Sequence, residues 1–237
     1  MTQFGRNTVP FADLDPDEVT RPDLNPYLLL HRQLGPPVLT AEEAKEHLGR
    51  WDAAFARPAP LHVEIGSGNG FFLSGMAAKH PERNWLGIEI RFKRVVLCAK
   101  KIKALGVGDN ARIARYDAWW LEHILEPGVV AGLYVNHPDP WAKDSEAKKR
   151  LMSPFFAAWA ASAMQVGAML RLKSDHLPNI DALQAAVEGL PFALRGRVED
   201  IQRNGTPWPV EDDVITNYQS KFIKRGLPVH ALWLERI

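Results

Sequence analysis

The sequence predicts an α/β fold, a mostly parallel sheet with helices on both faces. Three observations lead there. From residue 61 onward, short β-patterned runs alternate with helical ones. One run, VVAGLYVN at 129–136, is apolar almost throughout, as befits a strand buried on both sides. Glycines 66, 68 and 70 stand between a predicted strand and a predicted helix. In such sheets ligands sit beyond the carboxyl ends of the strands.

The elements follow in order. Residues 1–39 are rich in Pro and Asp with weak periodicity, and read as an extended, partly disordered N-terminal segment. Thr40-Ala-Glu-Glu43 is a capping box that opens a helix expected over 41–55. LHVEIG (61–66) is a strand and GFFLSGMAAKH (70–80) a helix. NWLGIEI (84–90) is the next strand. FKRVVLCAKKIKAL (92–105) is a helix with an apolar stripe at Val95, Val96, Ala99 and Ile102. ARIARY (111–116) is a strand, WWLEHIL (119–125) a short helix and 129–136 the apolar strand. Helix 154–164, strand 167–174, helix 179–189 and a final strand 227–237 complete the pattern. The expected organisation is an extension over 1–39 and one domain over 40–237, without repeats.

With 46% apolar residues, the chain has material for a sizeable core. No apolar stretch approaches the roughly 20 residues of a membrane helix. The N-terminal stretch carries no apolar signal core, and Cys98 is the single cysteine. A cytoplasmic protein without disulfides is therefore expected, with no cysteine-rich zinc site and no membrane partner. The net charge of +1 hides an uneven distribution. Residues 91–103 hold six Lys/Arg and no acid, and residues 143–150 hold four more basic residues. Such patches suit a polyanion, and equally a solvated helix face.

The glycine loop reads Glu64-Ile-Gly66-Ser-Gly68-Asn-Gly70. Its glycines permit positive φ and close approach of backbone to a ligand. A tight strand–helix turn alone would need them too. The acids are more telling. Glu64 lies inside the strand, where a pyrophosphate-binding loop would have no use for added negative charge. Glu89 ends the second strand, 23 residues after Gly66, where a carboxylate accepts from ribose hydroxyls. Asp117 ends the third, within reach of an adenine amino group. A lone strand-end acid is usually a cap. Three behind one glycine loop point to a cationic nucleoside without phosphate, and S-adenosyl-L-methionine is such a ligand.

After the apolar strand comes Asn-His-Pro-Asp-Pro-Trp-Ala-Lys, residues 136–143. Together with EIGSGNG, GIE, YDA, KSD and TNYQSKF, this resembles the bacterial tRNA (guanine-N7-)-methyltransferases over roughly residues 50–237. The resemblance implies a Rossmann-like class I methyltransferase acting with S-adenosyl-L-methionine on a guanosine of the tRNA variable loop. It implies that Glu64, Gly66, Gly68, Glu89, Asp117 and Asp139 meet the methyl donor, with Asp139 catalytic. Lys143, Asp175, Thr216, Asn217, Tyr218 and Gln219 would touch the guanosine or the tRNA. Lys148, Lys149 and Arg150 would face phosphates, and no metal is implied. Two departures lie on the substrate side. Ser145-Glu146 stand where the family carries Arg-His, and Gln219 stands where it carries Glu. They leave open a methyltransferase on another RNA site or a small molecule, or a tRNA-binding homologue without catalysis.

The chemistry fits sparse machinery. Guanine N7 holds a free lone pair, so nothing has to deprotonate it, and His137 is expected to be structural. Catalysis reduces to alignment and electrostatics. Asp139 and Asp175 are the candidates to favour positive charge on the purine. Trp141 either stacks on a base or packs beneath the loop, while Trp119 and Trp120 are expected in the core or the donor-pocket wall. In duplex RNA, N7 faces a groove too narrow for side chains, so the target base must lie in a loop or be loosened.

Overall fold

The computed structural model describes residues 26–141 and 143–237. Its elements are α1 (Pro26–Gln33), β1 (Val38–Leu39), α2 (Ala41–Glu46), β2 (Leu61–Ile65), α3 (Phe71–Lys79), β3 (Asn84–Glu89), α4 (Phe92–Ala104), β4 (Ala111–Arg115), β5 (Val130–Asn136), α5 (Pro154–Ala163), β6 (Met164–Ser174), α6 (Leu177–Ala186), β7 (Phe192–Val198), α7 (Ile201–Asn204), α8 (Asn217–Arg225) and β8 (His230–Arg236). Short 3-10 turns cover Trp51–Ala54, Ala118–His123, Asp144–Lys149 and Val210–Asp212.

The eight strands form one sheet in the order β1-β4-β3-β2-β5-β6-β8-β7. Pairings from β1 through β6 are parallel, and β8 runs antiparallel to both β6 and β7. The order reverses between β2 and β5. Successive strands after β2 build outward on one side, and those after β5 on the other. Crossover chains leave in opposite directions there and open a crevice at the carboxyl ends.

Alternation along the strands fills a core on each face. Leu133 and Val135 pack with Phe156, Ala160, Ile180 and Leu183 on one side. Tyr134 points the other way, with Trp85, Leu73, Met76 and Val95. The predicted stripe on α4 is buried in full, with Cys98 added to it. Ser153 caps α5 through the Phe156 amide, and Pro154 takes the first-turn position that suits its missing N–H.

Several expectations change. The helix expected over 41–55 stops at Glu46, because Gly49 turns the chain at φ +74° before the 3-10 turn. Within the expected extension, residues 26–39 are ordered into α1 and β1, and Leu34 packs on the core. Residues 1–25 lie outside the described residues. Strand β6 begins at Met164 rather than 167, directly after α5. Beyond residue 40 three elements escape the sequence reading, the four-residue α7 and two more. Edge strand β7 is interrupted by a register shift at Gly196 and alternates poorly. Helix α8 starts within the TNYQSKF motif and runs three residues past it, capped by Thr216 and closed by Gly226 at φ +63°. A Thr ahead of an amphipathic run with Gly beyond it was the signal for that helix.

Gly70 joins the loop to α3. It has φ +76°, and a Cβ there would lie 2.4 Å from Cys98 Sγ and 2.9 Å from Cys98 Cα. Only glycine lets α3 and α4 approach this closely. Gly70→Ala is therefore expected to destabilise the fold by about 2 kcal/mol or more, from backbone strain plus overpacking. Urea denaturation of the two proteins checks this.

Candidate active site

A cleft of about 530 Å³ opens at the reversal point. It is lined by the glycine loop, by the ends of β2 through β5 and by the segment entering α8. Gly66 and Ser67 both donate their amides to Ile88 O, at 2.8 and 3.1 Å, which hooks the loop onto β3. Gly66 has φ +73°, and a Cβ built on it would meet nothing within 4 Å. The loop backbone thus lies open to the cleft.

Glu89 holds the loop from the other side. Its Oε2 accepts from Gly68 N at 3.0 Å and its Oε1 from Arg91 N at 2.9 Å. A carboxylate has about four acceptor positions, so room remains for a diol. Asp117 accepts from Trp119 N at 3.1 Å, so it caps the 3-10 turn and lines the cleft as well. Glu64 is the most unusual of the three. It is 2% exposed, and its Oε1 accepts from Asn136 Nδ2 at 2.9 Å across the β2–β5 seam. Oε2 is buried and has no hydrogen-bond partner among the described residues. Burial pushes its carboxyl up to about 7, against the hydrogen bond from Asn136, the nearby Ser67 hydroxyl, which itself donates to the Glu64 backbone carbonyl at 3.1 Å, and the charge of Lys173.

The proline-flanked loop is fastened at many points. His137 and Trp141 have φ of +51° and +40°, left-handed values that cost a non-glycine residue strain. His137 N donates to Lys173 O at 2.7 Å, and Asn179 Nδ2 donates to Pro138 O at 3.2 Å. Arg150 Nε donates to Trp141 O at 3.0 Å. The Lys149 ammonium lies 4.4 Å above the Trp141 ring. Between these anchors Asp139 stays exposed on the cleft wall, 4.0 Å from Arg91 Nη2. The His137 ring is buried against Tyr218 and Phe222, with Nδ1 3.1 Å from Asp175 Oδ1. Burial lowers the His137 pKa, so near neutral pH the ring is uncharged and donates to Asp175. Burial alone would raise the Asp175 carboxyl. The His137 hydrogen bond, its own backbone amide and the neighbouring histidines outweigh that and hold it low.

Known proteins resemble this chain in sequence and in fold. A family model described as a putative methyltransferase matches residues 58–232. A tRNA (guanine-N7-)-methyltransferase of Levilactobacillus brevis is 32% identical over 78% of this chain and 83% of its own length. The chain belongs to this family. An enzyme of the same name from Limosilactobacillus reuteri is 31% identical over 83% of this chain and 90% of its own length. The one from Bacillus subtilis is 29% identical over 80% of this chain and 87% of its own length. Among solved structures, the 16S rRNA methyltransferase KamB superposes with a TM-score of 0.54 at 15% identity, over 81% of this chain and 90% of that one. That likeness is one of fold.

Of the residues read from the sequence and the family motifs, the cleft gathers Glu64, Gly66, Gly68, Glu89, Asp117, Asp139, Asp175, Thr216, Asn217, Tyr218 and Lys149. Others are placed elsewhere. Lys143 and Lys148 are exposed outside it. Arg150 donates to the carbonyls of Trp141 and Lys143 and so braces the loop. Lys149 is paired with Glu146 at 3.0 Å. Gln219 does not reach the cleft. It is buried, its amide completes the Thr216 cap at 2.9 Å, and its Oε1 accepts from Lys173 Nζ at 3.1 Å.

Lys173 is the residue the sequence reading missed. It is 2% exposed at the end of β6, and donates to Asp213 Oδ1 at 2.8 Å, Val214 O at 3.1 Å and Gln219 Oε1. One buried cation thus pins the segment leading to Thr216, Asn217 and Tyr218 onto the sheet. A lysine inside an otherwise apolar strand, next to the KSD motif, was its signal. Lys173→Met should leave Asp213 as an unpaired, largely buried charge and cost about 3–5 kcal/mol. Residues 210–219 should then exchange their amide hydrogens faster. Adding Asp213→Asn should restore part of the loss, as measured by denaturation and hydrogen exchange.

Proposed function

We propose that this chain transfers the methyl group of S-adenosyl-L-methionine to N7 of a guanosine in tRNA. The observation that carries this reading is Glu64. A buried carboxylate oxygen without a partner, on the wall of a cleft at the strand-order reversal, calls for a cationic ligand group. The α-ammonium of the donor is such a group. Glu89 would accept from the ribose hydroxyls while still holding Gly68 and Arg91. Asp117 would accept from the adenine amino group. When bound, the donor supplies an electrophilic methyl on a sulfonium.

The guanine is placed on the other side of that methyl, against the Pro138-Asp139-Pro140 loop. In the reaction the N7 lone pair forms the new N–C bond, and the S–C bond breaks with its electrons going to sulfur. Positive charge passes from sulfur to the purine, and no proton moves. Asp139 and Asp175 on the purine side favour that passage. Either carboxylate also has the acceptors to meet guanine N1–H and the amino group. His137 takes no proton, since its Nδ1 is engaged by Asp175 and its Nε2 is buried without a partner among the described residues. Its part is to hold Asp175 and the loop.

Two outcomes follow. A carboxyl raised from 4.5 to about 7 binds a proton in the free protein that an ammonium ligand must displace. The folded state itself loses the stabilisation of the protonated form as pH rises from 4.5 through 7. Donor affinity changes in the opposite sense, falling as pH drops below about 7, by up to about tenfold per unit. Binding near pH 6.5 should release a proton, seen by calorimetry in buffers of different ionisation enthalpy. Glu64→Gln should lose both effects. Independently, Asp139→Asn should slow single-turnover methylation of unmodified tRNA on the order of 10²-fold, with folding intact. The wild-type rate should show no titration step from a histidine base. A near-normal rate in the variant would remove Asp139 from the chemistry, and 7-methylguanosine absent from wild-type reactions would refute the function.

A further inference from the structure

We infer that the exposed basic face of α4 is a phosphate-binding track for the tRNA, continuous with the cleft mouth. This rests on the function proposed above and adds a surface that the family motifs do not mark. The sequence singles out the run at 143–150 for phosphate contact. Two of its four cations are partly engaged, Arg150 by backbone carbonyls and Lys149 by Glu146 and the Trp141 ring. Among the described residues, Lys143 and Lys148 remain as its exposed, unengaged cations.

α4 has what that run lacks. Its segment, 91–103, carries six cations and no acid. Lys93, Lys100 and Lys103 are exposed and form no ion pair among the described residues, although Lys103 Nζ donates to Leu34 O at 3.3 Å. Lys93 and Lys100 are seven residues apart, two turns along one line of the helix, or about 10 Å. Lys101 lies beside that line, 3.7 Å above the ring of Phe71, which is itself on the cleft wall. Arg91 and Arg94 bring the charge to the cleft. Arg94 donates to Asn69 of the glycine loop at 2.6 Å, and Arg91 lies by Asp139. A strand that presents a guanine to Asp139 therefore finds cations leading away from the base along α4. Helix stability accounts for Lys101 and Lys103, which sit in the last turn where cations favour the dipole, but not for the cations at the start. Cations in a first turn oppose the helix dipole, and α4 has no acid there to offset them. A polyanion lying along the face would.

The test uses the full chain, an unmodified tRNA transcript and a salt series. In Lys93→Ala/Lys100→Ala, the slope of log affinity against log salt should become shallower by about 1.4–1.8 for two lost contacts. Lys93→Glu/Lys100→Glu should weaken tRNA binding further. Affinity for S-adenosylhomocysteine, measured by calorimetry, should stay at the wild-type value and certifies that the fold and donor pocket are intact. If wild type binds tRNA and makes 7-methylguanosine while the variants keep its slope, α4 is a solvated face and the track is refuted, with the function untouched. If wild type neither binds nor methylates tRNA, the function fails and the track with it.

Discussion

The parallel pairing of β2 with β5 is the constraint on which the rest depends. Five residues of β2 pair with β5 on one side and with β3 on the other. The strand order reverses at that seam, so no crossover helix can cover the carboxyl ends there. An open crevice follows from connectivity alone. The glycine loop, Asn136 and the proline-flanked loop all leave from strands that border it. Apolar layers on both faces hold the seam rigid, which lets the loops above it carry strain.

Two buried ionisable groups stand at this rim, and they complement each other. Glu64 has one oxygen answered by Asn136 and one unanswered. Lys173 is answered fully, by Asp213, Val214 and Gln219. Burial lowers the Lys173 pKa and raises that of Glu64, and each charge favours the other. The lysine is structural because its donors are satisfied within the protein. The glutamate is poised for a ligand because its acceptors are not. Unsatisfied buried polar groups are costly, and where one persists a binding role explains it. The substitution at 219 also gains a physical meaning. A neutral Gln still accepts from Lys173, while Asp213 supplies the countercharge.

The loop around Asp139 shows the same economy. Its two left-handed residues are held by hydrogen bonds from three different elements and by a ring stack on α8. The carboxylate itself stays exposed, aimed but not consumed. His137, at the heart of the loop, acts as a buried strut. That fits a reaction whose nucleophile needs no base.

The sequence by itself determined the sheet with its flanking helices, the glycine loop, the strand-end acids and the proline-flanked aspartate. These are local signals: period, turn residues, and polar residues where apolar ones are expected. It was weaker where local pattern and environment part. β7 alternates poorly because it is an edge strand with a bulge, and α8 was hidden inside a motif read for its side chains. Only the tertiary structure decided which charges are free. Arg150, Lys149 and Gln219 look like substrate contacts along the chain, yet folding gives each a partner within the protein, and buries Gln219 against Lys173. Lys173 looks like a strand residue, yet folding makes it the anchor of the cleft wall. The partners of Lys149 and Arg150 lie within ten residues along the chain, but Lys173 meets Asp213 and Gln219 across 40 and 46 residues, and no local pattern records such neighbours.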